Sequence, residues 1–406
     1  MQIRKTALRS SLYIVIGGLE QAYPPPRLLY TMEKKMKKQL TLVAAICTGL
    51  ASQLVFAANV QVYGRVDNGV YFTNTKVNGV SKNSFTMESG MAGASRWGIR
   101  ADSDEFAPGW KVSVKLEGKF LSDTGKLGTD STIFDRESSI IISSPYGALQ
   151  FGRIGYLHGG VSGGMIAGQT NPFGVVYKQC GAQNVFMNAA ARTPNTIRYE
   201  TPKFNGFYLA TQWCNSAKDD EENNALPNRT RYFGVGAGYK NGPFRIAAVY
   251  GTVFYGNGEK TSNKAGKGDE HSYSIAANYN FGPVKVFGGY QYGDNLGTAT
   301  KIMSKSFLGA TTHNAIIGAS APVAGGSLMA AAALTQTKDG KVVSTAKYIK
   351  QDGYQCALGY KYNFSKRTAF YTAASYRYQK GTKTNQARSI EKTKTFAVMA
   401  GLGVNF

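Results

Sequence analysis

The residue types that usually carry catalysis are thinly spread in this 406-residue chain. His158, His271 and His313 are its three histidines, and their spacing suits neither a metal site nor a catalytic relay. Gly160-Val161-Ser162-Gly163-Gly164 has the G-x-S-x-G spacing of a hydrolase elbow. That motif works only on a strand-to-helix turn, with an acid and then a histidine later in the chain. Here it lies in a glycine-rich stretch, where a flexible loop is the better reading. Asp219-Asp220-Glu221-Glu222 is a run of four carboxylates that could hold divalent cations, although a solvated loop tip explains it as well. No catalytic residue, metal site or cofactor is assigned, and an enzyme is not expected.

The charge balance points first to nucleic acid. Lys and Arg number 47 against 24 Asp and Glu, for a net charge of +23. The N-terminus argues the other way. Met36-Lys37-Lys38 opens a basic stretch, Leu40–Leu50 is mostly apolar, and Val55-Phe56-Ala57 suits a signal-peptidase site. The expected division is a leader over 1–57, removed on export, and a mature domain over 58–406. Removing the leader's eight basic and two acidic residues leaves a net charge of +17 on 349 residues. Export makes DNA or RNA an implausible partner. An oxidising compartment would also allow Cys180 to pair with Cys214, leaving Cys356 unpaired; the sequence leaves that pairing open.

The elements of the mature domain read as strands. In Lys111–Phe120, Val112, Val114, Leu116, Gly118 and Phe120 share one face, and Lys111, Ser113, Lys115, Glu117 and Lys119 the other. Phe396, Val398, Ala400, Leu402, Val404 and Phe406 repeat the pattern at the end. Beyond Ala57 there is no apolar run long enough for a transmembrane helix. Short turns fall at 105–109, 144–147, 204–206, 241–243, 281–283, 321–326 and 363–367. Longer polar stretches fall near 74–86, 123–131, 157–190, 216–229, 256–268, 294–306, 337–351 and 380–393. Fifteen connections imply sixteen strands. Short turns at one end and long loops at the other describe a closed antiparallel transmembrane β-barrel, with a wet lumen at that strand number. A period near 40 residues would also suit a propeller, but the long connections are too uneven for identical blades.

Several stretches carry a resemblance. VQVYGRVDNGVYF at the mature start, SRWGIR at 95–100, FDRESSIIISSPYGALQFGR at 134–153, ARTPNTIRYETPKFNGF at 191–207, YNFSKRTAFYTAASYRY at 362–378 and the closing AGLGVNF occur in this order. Together they resemble the trimeric general diffusion porins of Gram-negative outer membranes, over 59–406. The resemblance implies a homotrimer in the outer membrane among lipid and lipopolysaccharide. It also implies a third long loop, about 157–190, folded into the lumen as the constriction. Arg65, Arg96, Arg153 and Arg192 fall where the family carries its basic constriction wall; Arg100 shares a strand face with Arg96, and Arg198 is a weaker candidate. The facing wall is usually acidic, yet no Asp or Glu occurs between Glu137 and Glu200. Asn171-Pro172-Phe173-Gly174 stands where an acidic motif is often found. The expected function is passive diffusion of small hydrophilic solutes with a preference for anions. Pairing of the arginines with Asp67, Glu117, Asp135 or Glu137 would weaken that preference. A substrate-specific channel, and more remotely a barrel enzyme, are the alternatives.

Overall fold

The computed structural model describes residues 59–406, apart from 130–131, 220, 223–224, 258–267, 297–308, 339–347 and 384–389. The leader expected over 1–57 lies outside the described residues.

Period-two alternation produces strands almost throughout. The first half contains β1 (Asn59–Val77), β2 (Val80–Ser89), β3 (Arg96–Asp102), β4 (Lys111–Lys119), β5 (Glu137–Ser144), β6 (Gly147–Gly155), β7 (Arg192–Glu200) and β8 (Phe207–Cys214). The second half contains β9 (Arg231–Asn241), β10 (Phe244–Phe254), β11 (Glu270–Asn280), β12 (Lys285–Leu296), β13 (Ala310–Val323) and β14 (Gly326–Lys338). It ends with β15 (Tyr348–Asn363), β16 (Thr368–Lys383) and β17 (Ile390–Asn405). Each strand from β3 to β17 pairs antiparallel with the next.

β1 closes the sheet. One edge of β1 pairs with β17, from Arg65 opposite Asn405 to Val77 opposite Thr393. The other edge pairs with β3 over Asn59–Arg65 and with β2 over Asn68–Val77. β2 and β3 therefore occupy one position in the ring, broken at 90–95, and seventeen segments make a sixteen-stranded barrel. At the seam, Gly64 and Phe406 exchange two backbone hydrogen bonds of 3.0 and 3.1 Å. A closed ring leaves no edge, so every strand amide finds a partner without water.

The seven short turns stand where the sequence puts them. The first long connection does not. Residues 74–86 are strand on both sides of a two-residue turn, Asn78-Gly79, whose φ values of 49° and 100° suit a primed hairpin turn. Its polar residues face one another across strands, Asn74 donating to Asn83 at 2.6 Å.

The two faces differ in chemistry. Outward positions hold Val66, Val70, Leu209, Ile275, Ile317, Leu358 and Leu402, all exposed. Phe204, Phe281 and Phe364 are exposed in the short turns, as expected of an interfacial aromatic girdle. Inward positions hold amides and hydroxyls, among them Gln212, Ser274, Gln291, Asn314, Thr335, Gln355 and Thr395. An apolar exterior around a polar interior is the inverse of a soluble sandwich. Among the described residues no helix is long and apolar enough to cross a membrane.

Candidate functional site: a charged waist

The long 155–192 connection does not stay outside. It carries three single-turn 3-10 segments, Ala167–Gln169, Lys178–Cys180 and Ala182–Asn184, and packs on inner faces between β8 and β17. The Met187 amide donates to Gln291 Oε1 at 2.8 Å. Leu157, Met165, Ile166, Val185 and Phe186 bury themselves against Ala210, Ala247, Val249, Ala276 and Ile316. Phe173, Tyr177 and Cys180 pack with Met329, Ala357, Tyr371 and Ala373. Glycine makes the seat possible: a Cβ at Gly289 would lie 2.4 Å from Thr170, and one at Gly359 2.6 Å from the Phe173 ring. Apolar burial thus fixes a loop inside an otherwise polar lumen.

Guanidinium groups gather around β1, β3, β6 and the start of β7. Arg65 and Asp67 lie two residues apart on β1 and so share its inner face. They join at 2.6 Å through Nη2 and Oδ2, with Nε at 3.2 Å. Arg96 Nε lies 3.4 Å from Glu117 Oε2, and Arg136 Nε donates to the other oxygen at 2.5 Å. Tyr63 Oη donates to the same carboxylate at 3.0 Å. Arg153 Nε donates to the Asp135 carbonyl at 2.8 Å, and Arg192 Nη1 to the Ala190 carbonyl at 3.0 Å. Arg192 lies within electrostatic reach of Arg136, Arg153, Asp135 and Glu117.

Five guanidinium groups, on Arg65, Arg96, Arg136, Arg153 and Arg192, thus stand with three carboxylates, on Asp67, Glu117 and Asp135, beside the Lys115–Glu137 ion pair, which adds one charge of each sign. The sequence leads one to expect arginines without facing carboxylates. The loop indeed carries none; the carboxylates stand beside the arginines instead, Asp67 and Glu117 on strands and Asp135 in the β4–β5 connection. Arg136 was not among the expected residues; its place beside Asp135 in the FDRE stretch is the signal that could have found it. Arg100 stands apart from the group. It pairs with Asp102 at 3.0 Å, is 55% exposed, and lines with Arg96, Lys115 and Glu137 a cavity of about 620 Å3. Arg198 is buried and binds the 155–192 loop, donating to the carbonyls of Gly163 at 2.7 Å and Ser162 at 3.3 Å. It anchors the loop rather than lining the passage. Lys178 brings the loop's own positive charge to Glu88 of β2.

Two sequence readings resolve differently. Cys180 and Cys214 are both buried free thiols. Cys180 sits in the Tyr371 cluster, whereas Cys214 lies with Tyr156, Tyr232 and Val253 and donates to the Pro194 carbonyl at 3.1 Å, so the considered disulfide does not form. Burial pushes the Cys180 thiol up to about 12, so it stays protonated. Ser162 takes a left-handed φ of 49° inside the loop, with no strand-to-helix elbow around it. Asp219 and Glu221 accept hydrogen bonds from Asn195 and Asn215, and no metal-binding cluster occurs among the described residues.

His158, at the root of the loop, is 1% exposed. Its Nδ1 lies 3.2 Å from Tyr232 Oη, and its buried Nε2 has no partner among the described residues. Burial depresses the imidazole pKa to about 4. The unfolded chain therefore binds this proton near pH 6.5 while the folded chain resists it down to pH 4. Stability should fall as pH drops through that window, by about 3 kcal/mol from this group. Thermal unfolding in detergent between pH 7 and 4 should show the slope, and His158→Leu should flatten it.

A closed sixteen-stranded antiparallel sheet with a polar interior and a long loop packed on its inner face defines a membrane channel of the barrel type. The chain belongs to the Gram-negative porin family, which it matches over residues 40–383. It is 27% identical to an outer membrane porin protein of Bordetella pertussis, over 91% of this chain and all of that one. It is also 27% identical to outer membrane porin protein 32 of Delftia acidovorans, over 83% and 88%. Among solved structures, an anion-selective porin from Comamonas acidovorans shares the fold with a TM-score of 0.62 and 23% identity, covering 86% of this chain and all of that one. OmpF of Salmonella typhi, solved with daunomycin, shares it with a TM-score of 0.57 and 17% identity, over 86% and 98%. The protein is an outer-membrane channel for passive diffusion of small hydrophilic solutes, integral to the membrane, and belongs with channels rather than enzymes.

Proposed function

We propose that the channel prefers anions, and that Arg65, Arg96, Arg136, Arg153 and Arg192 impose the preference at the constriction. The observation that carries the reading is the excess of five guanidinium groups over three carboxylates, facing a loop without a carboxylate. In a narrow, partly dewatered passage such an excess attracts anions and holds cations back. Arginine stays charged at every relevant pH. The Comamonas acidovorans porin with the same fold is itself anion-selective.

Export through cleavage after Ala57 would deliver the chain to the outer membrane. A homotrimer fits the apolar outer face of β1 and β2, where Phe85 and Met87 stand exposed beside Val70. Lipid and lipopolysaccharide would cover the remainder. Planar-bilayer recording tests the main reading. In a potassium chloride gradient the reversal potential should carry the sign of chloride, and the preference should weaken at 1 M salt, where screening shortens to about 3 Å. Closures in three equal steps would support the trimer. A reversal potential with the sign of potassium overturns the proposal, and current blocked by one solute alone would favour a substrate-specific channel.

A further inference from the structure

Charge on the inner wall of β1–β5 is layered. Every second residue of a strand faces the lumen, and paired residues stand side by side, so charged groups fall into bands about 6.8 Å apart along the strands. Arg65 stands opposite Arg96. Two residues on, at the level of Gly98, Glu117 stands opposite Glu137. The next band pairs Arg100 with Lys115, and the one after it holds Asp102 opposite Ser113. From the waist toward the short turns the order is therefore positive, negative, positive, negative. Gly98 leaves the second band without a side chain on β3. Tyr63 leans into that gap, where a Cβ would lie 2.8 Å from its ring, and donates to Glu117 at 3.0 Å.

The bands border open space. Arg96, Glu117, Glu137, Arg100 and Lys115 line the cavity of about 620 Å3, together with Ser162 and Gly163 of the long loop. A second hollow, of about 450 Å3, shares Arg100 and Ser113 with it and continues to Asp102, Asp104, Glu105 and Lys111. Ion pairs run from band to band: Arg96 to Glu117 at 3.4 Å, Lys115 to Glu137 at 2.7 Å and Arg100 to Asp102 at 3.0 Å. Arg100, Asp102 and Lys115 keep 55, 32 and 31% of their side chains exposed, so a solute meets them directly. Glu117 and Glu137 are covered and act from behind them through their field. A solute with one charge is repelled at every second band. A solute with both charges can take partners from two neighbouring bands at once, and no ladder charge is left unpaired. Such contacts are weak and repeated, which lets a solute enter and still leave.

We propose that this ladder favours zwitterionic solutes whose two charges lie one band apart, and that linear dipeptides are the class it fits. An extended chain spans at most about 3.5 Å per residue, which sets the amino and carboxylate ends of a dipeptide about 7 Å apart. A single amino acid carries both charges on one residue and cannot reach two bands. The inference goes beyond the anion preference proposed above. It rests on diffusion through the lumen, and the net charge of the waist plays no part in it.

The test is swelling of liposomes that contain the whole protein, at neutral pH and with solutes of zero net charge. Glycylglycine should enter about threefold faster than N-acetylglycinamide, a neutral solute of similar size. Glycine should show no such advantage over glycolamide. Lys115→Gln with Glu137→Gln removes one cation and one carboxylate from adjoining bands at unchanged net charge. That variant should bring the two dipeptide-sized rates together, while the reversal potential in potassium chloride stays at its wild-type value. Arg100→Gln should lose about half of the advantage. Because Arg100 is exposed, this variant decides the matter if the paired one gives no heat-modifiable folded band. Equal entry of glycylglycine and N-acetylglycinamide through the wild type overturns the ladder. So does an advantage untouched in the folded variants, or one that glycine shares in full. A reversal potential with the sign of potassium, with the dipeptide advantage intact, would overturn the anion preference alone.

Discussion

Replacing Arg96 and Arg136 together with glutamine should leave an open barrel that has lost its preference for anions. Both guanidinium groups serve one carboxylate, Glu117, at 3.4 and 2.5 Å. Without them the waist holds three arginines against three carboxylates, and the positive excess is gone. A charge a few ångströms from the permeation path is worth on the order of a few kcal/mol at an effective dielectric near 20. Even after screening by pore water, losing two should change the chloride-to-potassium permeability ratio about tenfold. The expected pore is close to unselective, read from reversal potentials at low salt. Adding Glu117→Gln separates charge from shape. The triple variant restores an excess of one guanidinium group and should regain part of the anion preference. If the double variant keeps wild-type selectivity, the waist arginines do not set it.

Asp67→Asn should produce the largest loss of stability from one substitution. Asp67 is fully buried. Its carboxylate accepts two bonds from Arg65, one of 2.6 Å from Tyr371 Oη and one of 3.4 Å from the Ala92 amide. Its carbonyl accepts from Gly90, Ser95 and Ser122. The residue therefore joins the seam strand β1, the 90–95 break and β16. Asparagine keeps the volume but leaves the Arg65 cation without its counter-charge, a change that costs about 3 kcal/mol in a buried setting. Tyr371 also packs on the Tyr177 ring of the constriction loop, with centroids 5.5 Å apart. Loosening it should add noise to the open-channel current. Denaturant or thermal unfolding in detergent gives the first readout and single-channel variance the second. Replacing the pair by apolar residues, Arg65→Met with Asp67→Leu, should recover much of the stability and, because one cation leaves with one carboxylate, keep the anion preference near that of the wild type. Wild-type melting in Asp67→Asn would show that this carboxylate is not a structural node.

Much of this architecture was legible because a barrel writes itself locally. Alternation and the Gly-Pro turns at 242–243 and 282–283 are short-range signals, and the strands follow them. The 74–86 stretch was misread through composition: Asn74, Thr75 and Lys76 look like loop, whereas Asn78-Gly79 between alternating residues is itself a hairpin signal. The break at 90–95 leaves no local mark, since Ser95 is held by Asp67 twenty-eight residues away. At the waist, Arg65–Asp67 and Arg100–Asp102 are readable as neighbours two apart on one strand face. Glu117 with Arg136 is not, because strand and loop meet there only through the fold. The fate of Cys180 depended on which inner surface the constriction loop chose, and spacing carries no information about that.

The missing side chains at Gly289 and Gly359 have a consequence for how the sieve can change. The loop rests in hollows on the wall behind it, so the aperture is set partly by residues that no solute touches. A single methyl group added there would push the loop toward the axis and shrink the size limit while leaving every charged group in place. Mesh and polarity can therefore drift separately in this molecule, one through the backing and the other through the rim.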